Sequence, residues 1–234
     1  MCGRFAQYRA ISDYYAELMS EQHVISGWDE TPLGRYNVMP QSRAQLLHAE
    51  PGGLVFQAVR WWWEPSWAGS GGPRNKFNAR LDKVATSPFY RAIWPHRAII
   101  CADGWYEWVA NPSDAKDKQP YFLRRGDGAV LFIPAVGQFP HPGDEPRDTD
   151  GFRMITDDAA GGMRDVHDRR PVVLSAPQAR EWLDLQTSSQ RAEQLLHQGL
   201  PADMFCFYRV SKAVSHRENG PSLILPIKHN DLDQ

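Results

Sequence analysis

The sequence predicts an α+β protein built on a curved, largely antiparallel sheet or open barrel with a few peripheral helices. Two observations carry that expectation. Short runs rich in β-branched and aromatic residues outnumber helical segments, and they follow one another without a strand–helix–strand rhythm. Nine tryptophans and an aromatic content of 12% in 234 residues supply ample bulk for a core. A single domain over 1–234 is expected, because the Gly/Pro-rich stretches 69–73 and 139–151 are too short to be linkers.

In chain order, an apolar stripe predicts a helix over 12–19, with Ser12 as its N-cap. Strand patterns follow at 44–48 and 55–63. Ser87-Pro88 opens a helix through 93, since proline suits a first helical turn. Further strand runs cover 97–102, 105–109, 121–124, 130–136, 152–156 and 172–174. Ala176-Pro177 starts a helix through 185, and Ser188 or Ser189 caps another through 198, ended by Gly199. A last strand covers 205–210.

Charge and cysteine usage narrow the functional classes. The net charge of −2 gives no global attraction to nucleic acid, so phosphate binding requires a local basic face. Cys2, Cys101 and Cys206 are sparse and lack metal-type spacing, against both a disulfide framework and zinc. Neither a signal peptide nor a run of about 18 apolar residues is visible. A reducing, cytoplasmic setting without membrane contact is the expectation.

Four segments and a tryptophan supply candidate chemistry. The first is Cys2-Gly3-Arg4-Phe5. Removal of Met1 would give Cys2 two nucleophiles, an α-amine of pKa about 7.7–8.0 and a thiol of about 8.5. An imine formed by the amine could then close to a five-membered ring through sulfur. Position alone leaves a surface thiol as an equal reading. Gly3 permits close backbone approach, and Arg4 is either a phosphate ligand or a solvated charge. The second is Asn78-Ala79-Arg80, preceded by Arg74 and Lys76. It offers an amide and a guanidinium fork, or simply a polar loop. In the third, Ala102-Asp103-Gly104-Trp105-Tyr106-Glu107-Trp108, a carboxylate among aromatics suits a proton carrier, unless Glu107 faces solvent. Cys101 reads as a buried structural thiol. The fourth, Asp165-Val166-His167-Asp168-Arg169-Arg170-Pro171, is either a proton-transfer and phosphate-gripping turn or a salt-bridged one. The other seven histidines read as surface residues. Trp61-Trp62-Trp63 reads as core. Trp67, at the mouth of the Gly-rich loop, is placed for base stacking beside arginines.

Together these segments resemble the SOS-response-associated peptidase (SRAP) family. The resemblance rests on Met-Cys-Gly-Arg-Phe-Ala at 1–6, Gly-Arg-Tyr-Asn-Val at 34–38 with Pro40, and Asn78-Ala79-Arg80. Ala85-Thr86-Ser87, the 102–108 segment and His167-Asp168-Arg169-Arg170-Pro171 extend it, and Val210-Ser211 and Pro226 close it. It implies the SRAP fold and covalent crosslinking of abasic sites in single-stranded DNA, possible also at strand junctions, by a monomer without a cofactor or metal. Cys2 would be the nucleophile, Asn78 would bind the sugar-derived adduct, and Glu107 and His167 would move protons. Arg4, Arg80, Thr156 and Arg169 would hold phosphates, Trp67 and Trp108 would shape the strand's path, and Asn37 and Pro40 would border the pocket. Three positions depart from the family pattern. Trp62 replaces a glycine, Met39 replaces a small residue beside the pocket, and Ala68 replaces a second tryptophan after Trp67. A self-processing cysteine peptidase and a non-covalent single-strand binder stand as alternatives.

Overall fold

The computed structural model describes residues 2–71 and 77–227. Met1, Arg74, Lys76 and part of the 69–73 loop expected from the sequence lie outside the described residues. The chain opens with β1 (Phe5–Gln7), α1 (Ile11–Leu18), β2 (Val24–Ser26), β3 (Arg35–Val38), β4 (Arg43–Glu50) and β5 (Gly53–Arg60). Next come β6 (Asn78–Arg80), α2 (Leu81–Val84), β7 (Arg97–Ala102), β8 (Gly104–Asn111), β9 (Asp114–Arg125) and β10 (Leu131–Gln138). It closes with β11 (Gly151–Asp158), β12 (Arg169–Pro171), α3 (Ala176–Leu183), α4 (Ser189–His197) and β13 (Phe205–Arg209).

The strands form two sheets, mostly antiparallel, and neither closes into a barrel. One has the order β13-β9-β8-β1-β3; the other runs β12-β11-β10-β7-β4-β5-β2, with β6 added parallel to β11. Side-chain alternation stacks them into layers. In the larger sheet β7 sends Ile99 and Cys101 to one side, where the helices α1, α3 and α4 cover them with Tyr14, Trp182 and Leu195. It sends Ala98, Ile100 and Ala102 to the other side, against Phe5, Trp105 and Leu123 of the smaller sheet. The far face of the smaller sheet, with Ala6, Tyr106 and Phe122, is covered by Val210, Val214 and Leu223 of the C-terminal segment. Buried Gln7 ties the sheets together by donating to the carbonyls of Gln45 and Cys101, both at 2.8 Å. No described helix is long and apolar enough to cross a membrane.

Three expected elements differ. The first helix is capped by Ala10, whose N–H donates to Asp13 Oδ2 at 3.2 Å, rather than by Ser12, whose N–H is taken by the Asp29 carbonyl. The stretch 87–93 forms a chain of turns instead of a helix. Its Phe89 and Tyr90 rings lie 4.7 and 5.5 Å from the Arg153 guanidinium, and that packing overrides local propensity. At 172–174 the chain leaves β11 for β10, touching it through the single bridge Phe132–Leu174, so the strand ends at Pro171. By contrast, Ser175 and Gln178 form a capping box at α3, and Ser188 caps α4.

Candidate functional site

The two sheets open toward one edge, and the segments singled out in the sequence meet there. In β8 the period of two puts Trp105 in the layer between the sheets and Tyr106 outside it, so Glu107 returns inward and is 2% exposed. Gly104 allows β8 to approach β9, because a Cβ there would lie 2.6 Å from the Leu123 carbonyl oxygen. Asp103 serves the scaffold: it binds Arg9 Nε at 2.8 Å and accepts from Tyr14 Oη at 2.7 Å.

Cys2 is fully buried in the same layer. Asn78, at the start of β6, donates from Nδ2 to the Cys2 carbonyl at 2.8 Å. The Asn78 carbonyl in turn accepts from Arg153 Nη1 at 3.3 Å, while Arg153 Nε donates to the Trp63 carbonyl at 2.8 Å. Buried Arg153, in the middle of a strand pattern, was not flagged by its sequence context, yet it fixes the backbone that carries Asn78. Trp61 and Trp63 are core; Trp61 packs on Phe5 and Phe77 and donates to the Phe77 carbonyl at 2.8 Å.

Burial raises the Glu107 carboxyl to a pKa of about 8. Burial, followed by the nearby Glu107 charge, holds the Cys2 thiol well above its ordinary range. His167 Nε2 lies 3.9 Å from Glu107 Oε2, and burial lowers the imidazole pKa. His167 Nδ1 sits between a donor, Arg169 N–H at 2.9 Å, and an acceptor, Asp168 Oδ1 at 2.7 Å. One nitrogen serves only one of them at a time. With its proton turned to Asp168, the ring presents an Nε2 lone pair to Glu107; with Nδ1 accepting from Arg169, the proton sits on Nε2. The neutral ring can therefore receive or deliver a proton on the Glu107 side.

Above these groups lies an open cleft of about 950 Å³, lined by Arg4, Met39, Pro40, Glu107, Trp108 and His167 among others. Trp108 donates from Nε1 to Ser215 Oγ at 2.9 Å. Asn37 is buried and does not line the cleft; its Nδ2 binds the carbonyls of Val214, His216 and Glu218, and its Oδ1 accepts from Arg4 Nη1. Arg80, Thr156 and Arg169 sit together on the β6–β11–β12 edge. Arg169 Nη2 donates to Thr156 Oγ1 at 3.0 Å and Arg169 pairs with Asp158, while Arg80 pairs with Asp82 at 2.8 Å. Trp67 is 70% exposed against the edge of Phe89, apart from the cleft lining. The cleft also gathers residues outside the four sequence segments: Lys116, Lys118, Lys212, His216 and Arg217. Their signal was the three bases within Ser211–Arg217 and the Lys-Asp-Lys alternation at 116–118. Among the described residues no group of His, Cys, Asp or Glu is arranged to hold a metal ion.

Comparison with known proteins gives consistent matches. The family model for SOS response associated peptidase (SRAP) matches residues 1–217. An Escherichia coli K12 relative, abasic site processing protein YedK, is 39% identical over 97% of this chain and 100% of its own length. Abasic site processing protein YoaM of Bacillus subtilis is 29% identical over 98% of this chain and 100% of its own. Among solved structures, a phage-related protein from Bordetella bronchiseptica superposes with a TM-score of 0.73 at 34% identity, covering 90% of this chain and 95% of that one. A protein from Bacteroides thetaiotaomicron shares the fold, with a TM-score of 0.72 at 19% identity over 97% and 100% of the two chains.

Proposed function

The chain belongs to the SOS response associated peptidase family, and we propose that it captures abasic sites in single-stranded DNA through a covalent bond to Cys2. The observation that carries this reading is the meeting of Cys2, Asn78, Glu107 and His167 at the edge of the inter-sheet layer, beneath a cleft bordered by arginine and lysine. The relatives' names, abasic site processing protein, support it further.

The chemistry requires removal of Met1. The Cys2 α-amine then attacks C1′ of the open-chain deoxyribose aldehyde, forming a carbinolamine. Protonated Glu107 gives its proton to the carbinolamine hydroxyl, which leaves as water, and the Glu107 carboxylate takes back the proton on the iminium nitrogen, leaving a neutral Schiff base and a reloaded acid. The thiol adds across C=N: sulfur bonds to C1′, and the thiol proton passes through Glu107 and His167 to nitrogen. Aldehyde and cysteine thus yield thiazolidine and one water. A Glu107 pKa near 8 keeps the acid loaded at neutral pH, and burial of the thiol favours a proton relay over free thiolate. Asn78 fixes the Cys2 backbone, and with it the direction of the amine.

A denaturing gel with DNA carrying one abasic site tests this. Wild type gives a shifted band, Cys2→Ala gives none, and Cys2→Ser gives only a labile imine that borohydride traps. A full-strength band with Cys2→Ala contradicts the reading and favours a non-covalent binder. A second role for the same residues, cleavage of the Met1–Cys2 bond by the chain itself, is favoured by the acid–imidazole pair of Glu107 and His167, 3.9 Å apart, with Glu107 near enough to Cys2 for its charge to act on the thiol. Intact mass of Glu107→Gln separates the cases: retained Met1 supports self-cleavage, and lost Met1 assigns the removal to another enzyme.

A further inference from the structure

We propose that the segment 211–218 and the outer half of β9 form a second phosphate-binding wall of the cleft, with Arg217 sharing a backbone phosphate with Arg4. The proposal rests on the cleft being a DNA site. Five of the cleft's residues are Arg4, Lys116, Lys118, Lys212 and Arg217, against the acids Asp117 and Glu107. Glu107 holds its proton at neutral pH, so one ionised acid faces five cations.

The cleft and the β6–β12 edge, whose arginines do not line it, differ in how their charge is matched. On the β6–β12 side, Arg80 pairs with Asp82 and Arg169 with Asp158. Within the cleft Lys212 pairs with Asp117 at 2.6 Å. Among the described residues Arg4, Lys116, Lys118 and Arg217 make no ion pair with a carboxylate. Arg4 is half-buried, and its guanidinium donates to neutral, distant acceptors: Asn37 Oδ1 at 3.3 Å and the Ser215 carbonyl at 3.4 Å. Arg217 lies close enough that its like charge, after burial, lowers the Arg4 pKa. Two guanidinium groups held together without a counter-charge are stabilised by an anion between them, and a phosphate oxygen pair fits that fork geometry.

The wall is also built in advance. Asn37 holds the carbonyls of Val214, His216 and Glu218 at 3.2, 3.1 and 2.9 Å, Trp108 holds Ser215 Oγ, and the Lys212–Asp117 pair joins the segment to β9. Exposed Lys116 and Lys118, two residues apart, share one face of β9. Unmatched cations lining the same cleft as Glu107 and His167 suit a continuous phosphodiester backbone.

Fluorescence anisotropy with a labelled single-stranded oligonucleotide lacking an abasic site tests the wall independently of crosslinking. Salt titrations would compare wild type with the triple variant Lys116→Gln/Lys118→Gln/Arg217→Gln and with Arg80→Gln. Each lost phosphate contact removes about 0.7 from the slope of log K against log salt, so the triple variant should flatten it by about 2. Arg217→Gln alone should flatten it more than Arg80→Gln, whose charge Asp82 already matches. A triple variant with the wild-type slope, while wild type binds, overturns the wall and leaves the functional reading standing. Equal competition by an acidic peptide at the same salt overturns the assignment to DNA. Absence of salt-dependent binding by wild type removes the DNA reading itself, and the wall with it.

Discussion

Glu107 keeps its proton to about pH 8 because β8 turns it into the layer between the sheets, where charge is poorly solvated. Two outcomes follow. The crosslinking rate should rise with pH as the Cys2 amine loses its proton, then fall as Glu107 ionises near pH 8. Glu107→Gln should lower the rate by roughly 100-fold, the usual scale of a general acid, and abolish the falling limb. A falling limb that survives the substitution would take the acid role away from Glu107. The same shift sets stability. The folded pKa lies above the ordinary 4.5, so Glu107 is harmless below about pH 4.5 and costs stability as pH climbs through about 8. Thermal melts should show Glu107→Gln gaining on wild type at pH 9 and not at pH 4. Asn78 acts through the Cys2 carbonyl. Asn78→Ala leaves that buried acceptor without its donor, at about 1–3 kcal/mol, and should slow crosslinking even where melts show the chain folded.

At the scale of elements, the site depends on how closely β8 runs beside its neighbours. Gly104→Ala would press a methyl carbon to 2.3 Å from Phe122 Cζ and 2.6 Å from the Leu123 carbonyl oxygen. That overpacking costs about 1–3 kcal/mol and displaces the strand carrying Glu107, so melting temperature and crosslinking should fall together. Ser175→Ala, at the α3 cap on the other side of the larger sheet, should cost about 1 kcal/mol and leave crosslinking intact. Much at this scale was legible from local pattern. The 97–102 strand matches β7, and Ser188 caps α4 as its sequence suggests. Ser12 misled because Asp13 caps the backbone from inside the helix instead. The 87–93 run misled because stacking on Arg153 belongs to tertiary structure. The short strands β1, β2, β3 and β6 went unseen, since three or four residues carry no readable period.

For the whole molecule, a chain of net charge −2 concentrates cations at one opening between two sheets. The motifs named the segments that meet there: a cysteine behind the initiator, a glutamate among aromatics, a histidine among acids and arginines, and an asparagine beside an arginine. They did not disclose Arg153, whose role comes from a neighbour 75 residues away, or Lys116, Lys118 and Arg217, which join the cleft only when the C-terminal segment folds over β8 and β9. The central claim, that Cys2 bonds through both its amine and its sulfur, has a direct measurement. Intact mass spectrometry of the isolated conjugate should give the DNA plus the chain without Met1, less one water, unchanged by borohydride. A conjugate that retains Met1, or one that gains two hydrogens on borohydride treatment, would contradict the ring-closed bond to an N-terminal cysteine.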